Sequence, residues 1–285
     1  MRYLVVESEQ ADERDARRRH AGKSSGESYQ ASLEQMSPGT TIDRIAPADP
    51  DAPVLGPADL AAYDAVFVTG APLHVYDDTP AVRRQIAFMR AVFASGTPSF
   101  GSCAGLQLAV AAAGGRVRKM PERIEAAVSR RIVATAAGRD HPLLAGRPAT
   151  WDAPAIHGDE VAALPEGALH LAGNGVTAIQ AAEIRHDRGV FWGVQYHPEL
   201  APGEIAVAIR RQAADLVDAG LAADADEVER SAALLDRLHR APDDRSARWQ
   251  LGVDGEFADE ASRRRELANF IAAIPQLRGD AAARD

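Results

Sequence analysis

Short apolar runs alternate with helical stripes along most of this chain. Tyr3 to Val6, Thr40 to Ile45, Ala65 to Thr69 and Val190 to Tyr196 are runs without helical period, as expected of strands buried on both faces. Between them lie amphipathic stretches. Tyr29, Leu33 and Met36 form a stripe that stops at Ser37-Pro38-Gly39. Val82, Ile86, Met89 and Phe93 line one face of a helix capped by Thr79, opened by Pro80 and closed by Gly96, with Arg83, Arg84 and Arg90 opposite. Leu106 to Ala113 predicts a further helix ending at Gly114-Gly115, and Glu204 to Val217 another. The alternation predicts an α/β protein: a three-layer α/β/α sandwich on a mainly parallel twisted sheet. Arg116 to His170 departs from the rhythm, with strands at Ala127 to Thr135 and Ala149 to Ala153 that suggest an antiparallel excursion. Leu169 to Ala172 and Ala178 to Ile184 then read as strands. The polar stretch Glu9 to Glu27, with Arg17-Arg18-Arg19-His20, reads as a solvated loop and helix start, the alternative being a mobile lid or a contact for an anionic substrate.

The character changes after Gly220. Charge-laced, Ala-rich segments carry stripes at Val228, Leu235 and His239, then at Leu267, Phe270, Ile271 and Ile274. We read residues 1–220 as one α/β domain and 221–285 as a helical C-terminal extension that packs on the core or on another subunit. A net charge of −9 over 285 residues argues against nucleic acid and anionic membrane surfaces as partners. One cysteine cannot form an internal disulfide, and Met1 leads straight into a strand with no secretory leader pattern. No apolar run approaches the roughly twenty residues of a spanning helix. The cytoplasm is therefore the expected compartment.

That cysteine, Cys103, sits in Gly101-Ser102-Cys103-Ala104-Gly105, where an apolar strand runs into a helix. This is a sulfur version of the nucleophile elbow, in which glycines two residues to either side relieve a crowded turn. The helix N-terminus behind it favours thiolate over thiol. A thiol nucleophile needs an imidazole, and the imidazole needs an acceptor for its other nitrogen. His197-Pro198-Glu199, at the end of the Val190 to Tyr196 strand, offers both.

These motifs resemble those of the class I (triad) glutamine amidotransferases. Gly101-Ser102-Cys103-Ala104-Gly105-Leu106-Gln107 and Gly193-Val194-Gln195-Tyr196-His197-Pro198-Glu199 carry the likeness, closest to stand-alone proteins similar to the glutaminase domain of GMP synthase. Val66-Phe67-Val68-Thr69-Gly70-Ala71-Pro72 resembles the family's strand and oxyanion loop, and Ala155-Ile156-His157-Gly158-Asp159-Glu160-Val161 its substrate-side segment. The likeness covers roughly Met1 to Gly220. The chain departs at Ala71, where a second glycine is common, and at Ile156, where a small polar residue is. The resemblance implies a Cys103, His197 and Glu199 triad that cleaves the γ-glutamyl amide of glutamine through a thioester. It further implies oxyanion donors from the backbone of Gly70, Ala71 and Ala104, and substrate contacts from Gln107, His157 and Asp159.

No cofactor is expected. A metal at His157 and Asp159 is not expected either, since one cysteine and scattered histidines lack zinc-ligand spacing. His74, His141, His170 and His186 read as surface or satisfied core residues. The sixty-odd residues after Gly220 lack a phosphate loop, so an ammonia-consuming synthetase would be a separate chain. A γ-glutamyl peptide hydrolase and a non-catalytic binding protein of the same fold are the alternatives. The substrate expected is small, glutamine or another γ-glutamyl compound, and the oligomeric state stays open, a homo-oligomer included.

Overall fold

The structure, a computed structural model, describes residues 1–121 and 124–282. Among these described residues eleven strands are present: β1 (Arg2–Val6), β2 (Thr41–Ile45), β3 (Ala65–Val68), β4 (Ser99–Ser102), β5 (Arg116–Lys119), β6 (Glu125–Ala134), β7 (Trp151–His157), β8 (Asp159–Ala163), β9 (Leu169–Gly173), β10 (Ala181–His186) and β11 (Gly189–Val194). Nine form one sheet in the order β2-β1-β3-β4-β11-β10-β9-β6-β7, and β5 pairs with β8 in a small separate ribbon. From β2 through β11 the neighbours run parallel. From β11 onward the sheet continues antiparallel, so the region Arg116 to His170 does supply an antiparallel extension.

Alternation along the parallel strands sorts side chains to two covered faces. Tyr3, Val5, Phe67, Phe100, Trp192 and Val194 share one apolar cluster with Tyr29 and Leu33 of helix Ser25–Met36 and with Leu267, Phe270, Ile274 and Leu277 of the last helix, Arg265–Ala282. Leu4, Val6, Val66, Val68 and Phe191 pack on the other face against helices Pro80–Ser95 and Ala104–Ala112. This is a three-layer α/β/α sandwich, and helix Arg265–Ala282 is part of one outer layer. The Phe270 ring lies 5.4 Å from Phe67, 5.5 Å from Phe100 and 5.8 Å from Trp192. A third apolar cluster joins helices Pro202–Arg211, Ala225–Arg240 and Gly255–Ala258.

Two local readings change. The polar stretch after β1 is a helix, Ala11–Ala21, capped by a reciprocal Gln10 and Glu13 pairing, followed by a second capping box at Ser24 and Glu27. The expected helix Glu204 to Val217 is two, Pro202–Arg211 and Ala213–Asp218. Among the described residues no helix is long and apolar enough to cross a membrane.

Candidate active site

β4 and β11 are parallel neighbours, with Val194 opposite Ser102. The residues that follow each strand therefore emerge side by side at the same end of the sheet, where open α/β sheets collect their ligands. Cys103 follows β4 at φ 53° and ψ −111°, a strained conformation for a residue with a side chain, and caps helix Ala104–Ala112. Its N–H is anchored to the Val194 carbonyl at 2.8 Å. The flanking glycines answer to close approach. A Cβ on Gly105 would lie 2.5 Å from the Val68 carbonyl oxygen, and one on Gly101 would lie 2.9 Å from Phe191 Cζ.

His197 and Cys103 line the same cavity and both lie against Gly70, and His197 donates from Nδ1 to Glu199 Oε1 at 2.7 Å. The other carboxylate oxygen of Glu199 accepts from Ser102 Oγ at 2.8 Å. With its proton committed there, Ser102 accepts from the buried Tyr29 hydroxyl at 3.0 Å. The acceptor of the imidazole is thus held by a hydroxyl chain running back into the core. Burial disfavours the His197 cation, but the Glu199 charge and the Cys103 and Glu199 hydrogen bonds outweigh it, and the ring is pushed up to about 10. The ring is cationic at neutral pH.

These groups open onto a cavity of about 860 Å³. Gly70 and Ala71 line it beside Cys103, and Ala104 begins the helix whose first N–H groups have no intrahelical acceptor. Gly70 is pressed against the site: a Cβ there would lie 2.6 Å from His197 Cε1 and 3.4 Å from Cys103 Cβ.

A family model for class I glutamine amidotransferases matches residues 25–214, a span that includes all of these groups. The chain belongs to that family. Within it, this chain is 37% identical over 237 residues to a gamma-glutamyl-L-1-hydroxyisopropylamide hydrolase from a Pseudomonas species, covering 81% of this chain and 79% of that protein. It is 34% identical over 155 residues to GMP synthase (glutamine-hydrolyzing) from Leifsonia xyli, covering 53% of this chain but only 29% of the synthase. A solved glutamine amidotransferase from Thermotoga maritima shares the fold at TM-score 0.64 and 15% identity, over 96% of this chain and 97% of that one.

The remaining expected site residues divide. Gln107 lines the cavity, but its Nε2 donates to the Asp159 carbonyl and to Gln195 Oε1, both at 3.2 Å. His157 also lines it, with both ring nitrogens engaged: Nδ1 at 3.0 Å from the Asp159 carbonyl and Nε2 at 3.1 Å from Glu125. Burial disfavours the Glu125 carboxylate, yet hydrogen bonds from His157, Asn174 and Thr177 hold it below the ordinary carboxylate range. The carboxylate of Asp159 is covered by His74 Nδ1 at 2.6 Å and the Tyr76 hydroxyl at 3.0 Å. His74 is therefore at the site, unlike the expectation for it. His141 is a satisfied buried residue on Glu183 at 3.1 Å. Sequence reasoning missed Glu9 and Glu13 on the cavity wall, whereas Arg17, also on it, lies in the stretch for which a substrate contact was the alternative reading; only the capping box at Gln10 and Glu13 could have marked the segment as a helix. Among the described residues no group of three or more His, Cys, Asp or Glu is placed to hold a metal ion.

Proposed function

We propose that this chain hydrolyses γ-glutamyl amides with Cys103 as nucleophile, His197 as proton carrier and Glu199 as its orienting acceptor. The observation that carries the reading is the convergence of Cys103 and His197 on Gly70 in one cavity, with His197 bound to Glu199 behind it. In the reactive form the thiol proton resides on His197 and the sulfur is the thiolate. The thiolate attacks the γ-glutamyl carbonyl carbon, and the oxyanion formed takes hydrogen bonds from the Ala104 N–H and the Gly70-Ala71 loop. Such donors are each worth about 10²–10³ in rate. His197 passes its proton to the departing nitrogen as the C–N bond breaks, leaving a thioester. It then removes a proton from water, which attacks the thioester to release glutamate and restore the thiol. Gln107 and His157 shape the glutamyl side of the cavity by fixing the Asp159 backbone. The chemistry lies within residues 1–220, with 221–285 bracing the layer behind it. The single reduced cysteine suits a cytoplasmic setting.

A specific observation favours an N-substituted amide over glutamine itself. The cavity reaches beyond the triad to helices Ala11–Ala21 and Pro202–Arg211, and its volume lies in the upper part of the roughly 300–1,000 Å³ that drug-sized ligands occupy. The Pseudomonas relative is named for such a substrate, a γ-glutamyl amide of a small hydroxyalkyl amine. With glutamine instead, the ammonia would pass to a separate synthetase. The test is glutamate release from glutamine and from γ-glutamyl-L-1-hydroxyisopropylamide, by wild type and Cys103→Ala. We expect the substituted amide to be the better substrate and the variant to lose about 10⁴-fold or more. A variant that retained activity would remove Cys103 from the mechanism.

A further inference from the structure

The loop that leaves β3 is tied down twice, and the second tie lies outside the triad. In the turn closed by the Asp77 N–H on the His74 carbonyl at 3.0 Å, Val75 is buried in the apolar cluster while His74 and Tyr76 lie side by side at the surface. Their rings stack at 5.4 Å with 26° between planes. Both side chains are substantially exposed, His74 at 57% and Tyr76 at 44%. Exposed polar groups have water to bond, yet both aim at one buried carboxylate, Asp159, at 2.6 and 3.0 Å. Burial, and the hydrogen bond to that carboxylate, push the Tyr76 phenol up to about 12, so it remains a donor across the working range.

The anchor they grip is itself fixed. The Asp159 carbonyl takes Gln107 Nε2 and sits against His157 Nδ1, and its strand pairs with β5, Asp159 opposite Lys119. Gln107 belongs to the helix that begins just after Cys103. A continuous path therefore runs from the 71–76 loop through Asp159 to the helix that carries the nucleophile.

We propose that His74 and Tyr76 are positioning residues, which clasp Asp159 and thereby hold the Gly70-Ala71 backbone in register with the Cys103 thiol. The inference rests on the hydrolase reading above, because it assigns the clasp to oxyanion stabilisation. It is separable from thiol activation, since His197 and Glu199 make no contact with either residue among the hydrogen bonds described.

Two reactions of the same sulfur separate the roles. Hydrolysis passes through a tetrahedral oxyanion, whereas alkylation by iodoacetamide is a direct displacement at carbon and builds none. For Tyr76→Phe with His74→Phe, kcat on a γ-glutamyl amide should fall about 10–100-fold, as expected for donors displaced by a fraction of an ångström. KM should change less than about twofold, with alkylation of Cys103 equally little affected. The milder His74→Gln, which retains a donor, should recover part of kcat. Thermal melting checks that each variant is folded, and alkylation at the wild-type rate does so at the site itself. Hydrolysis and alkylation falling together would place the residues on the thiol or imidazole, and unchanged kcat would give them no role; either overturns the proposal. A wild type active toward γ-glutamyl amides with indifferent variants removes this inference alone. A wild type that alkylates at Cys103 but hydrolyses none removes both readings.

Discussion

Gly70→Ala is the smallest change that reaches the centre of the site. The φ of Gly70 lies outside the left-handed region, so alanine brings no backbone strain and the effect is steric. The new methyl would sit 2.6 Å from His197 Cε1, while ordinary contact begins at 3.4 Å. Imidazole and loop must therefore separate by at least 0.8 Å. The ring cannot swing freely, because Nδ1 is bound to Glu199 at 2.7 Å and Glu199 is held in turn by Ser102. A displacement near 1 Å in a reacting constellation costs about 10²-fold in rate, or about 2.7 kcal/mol of barrier. The assay is glutamate release at saturating substrate, with iodoacetamide alkylation in parallel. Unlike the His74 and Tyr76 variants, Gly70→Ala should slow both reactions, since the imidazole itself is pushed. A Gly70→Ala enzyme with wild-type kcat would refute the placement of that ring against the loop.

The raised pKa of His197 predicts an alkaline limb in kcat/KM near pH 10, where the imidazolium loses its proton; Glu199→Gln should move that limb downward. The same shift carries stability. The folded value lies above the usual histidine value of about 6.5, so this contribution is complete below about pH 6.5 and is lost as pH rises through about 10. Denaturant titrations across that range should show it in wild type and less of it in Glu199→Gln. Glu266, fully buried on the last helix, meets Arg147 at 2.6 Å and accepts from Tyr196 at 2.8 Å. Glu266→Ala leaves the buried Arg147 with Glu256 alone at 2.8 Å and the Tyr196 hydroxyl without its acceptor, and should cost about 2–4 kcal/mol in urea unfolding; a change below about 1 kcal/mol would mean that helix Arg265–Ala282 is not docked as described.

What could be read from the sequence follows from how local each feature's cause is. Cys103 was legible because its turn needs Gly101 and Gly105 within two residues on either side. Strands β1, β3 and β11 were legible because both of their faces are covered and no polar position interrupts them. β5 was not: Arg116–Lys119 is charged and mostly exposed, and only its partner β8 makes it a strand. His74 is a sharper case. Its neighbours are those of any loop histidine, and its partner lies 85 positions away, so nothing near it in the chain records the pairing. The stripe Leu267, Phe270, Ile271 and Ile274 announced a buried face without saying which surface it covers. The destination depended on Phe67, Phe100 and Trp192 leaving a space on one side of the sheet for a ring from the far end of the chain.

The two ends of the candidate triad meet because of strand order rather than sequence distance. Ser102 and Val194 are register partners on adjacent parallel strands, so the backbones of Cys103 and the His197 segment leave the sheet in the same direction. Parallel neighbours lie about 4.8 Å apart, which sets the two side chains within reach before any of their own contacts form. The register also explains glycine on both strands: Gly101 faces Gly193, and a Cβ on Gly193 would lie 3.0 Å from the Gly101 carbonyl oxygen and 2.4 Å from the Phe191 ring. Beyond β11 the sheet turns antiparallel and ends at β7, after which the chain enters β8 of the separate β5-β8 ribbon, which is how His157 and Asp159 arrive at the cavity. The parallel half thus presents the reacting groups. The β5-β8 ribbon, through Asp159 and its hydrogen bonds with His74 and Tyr76, supplies the proposed fixed point for the candidate oxyanion loop.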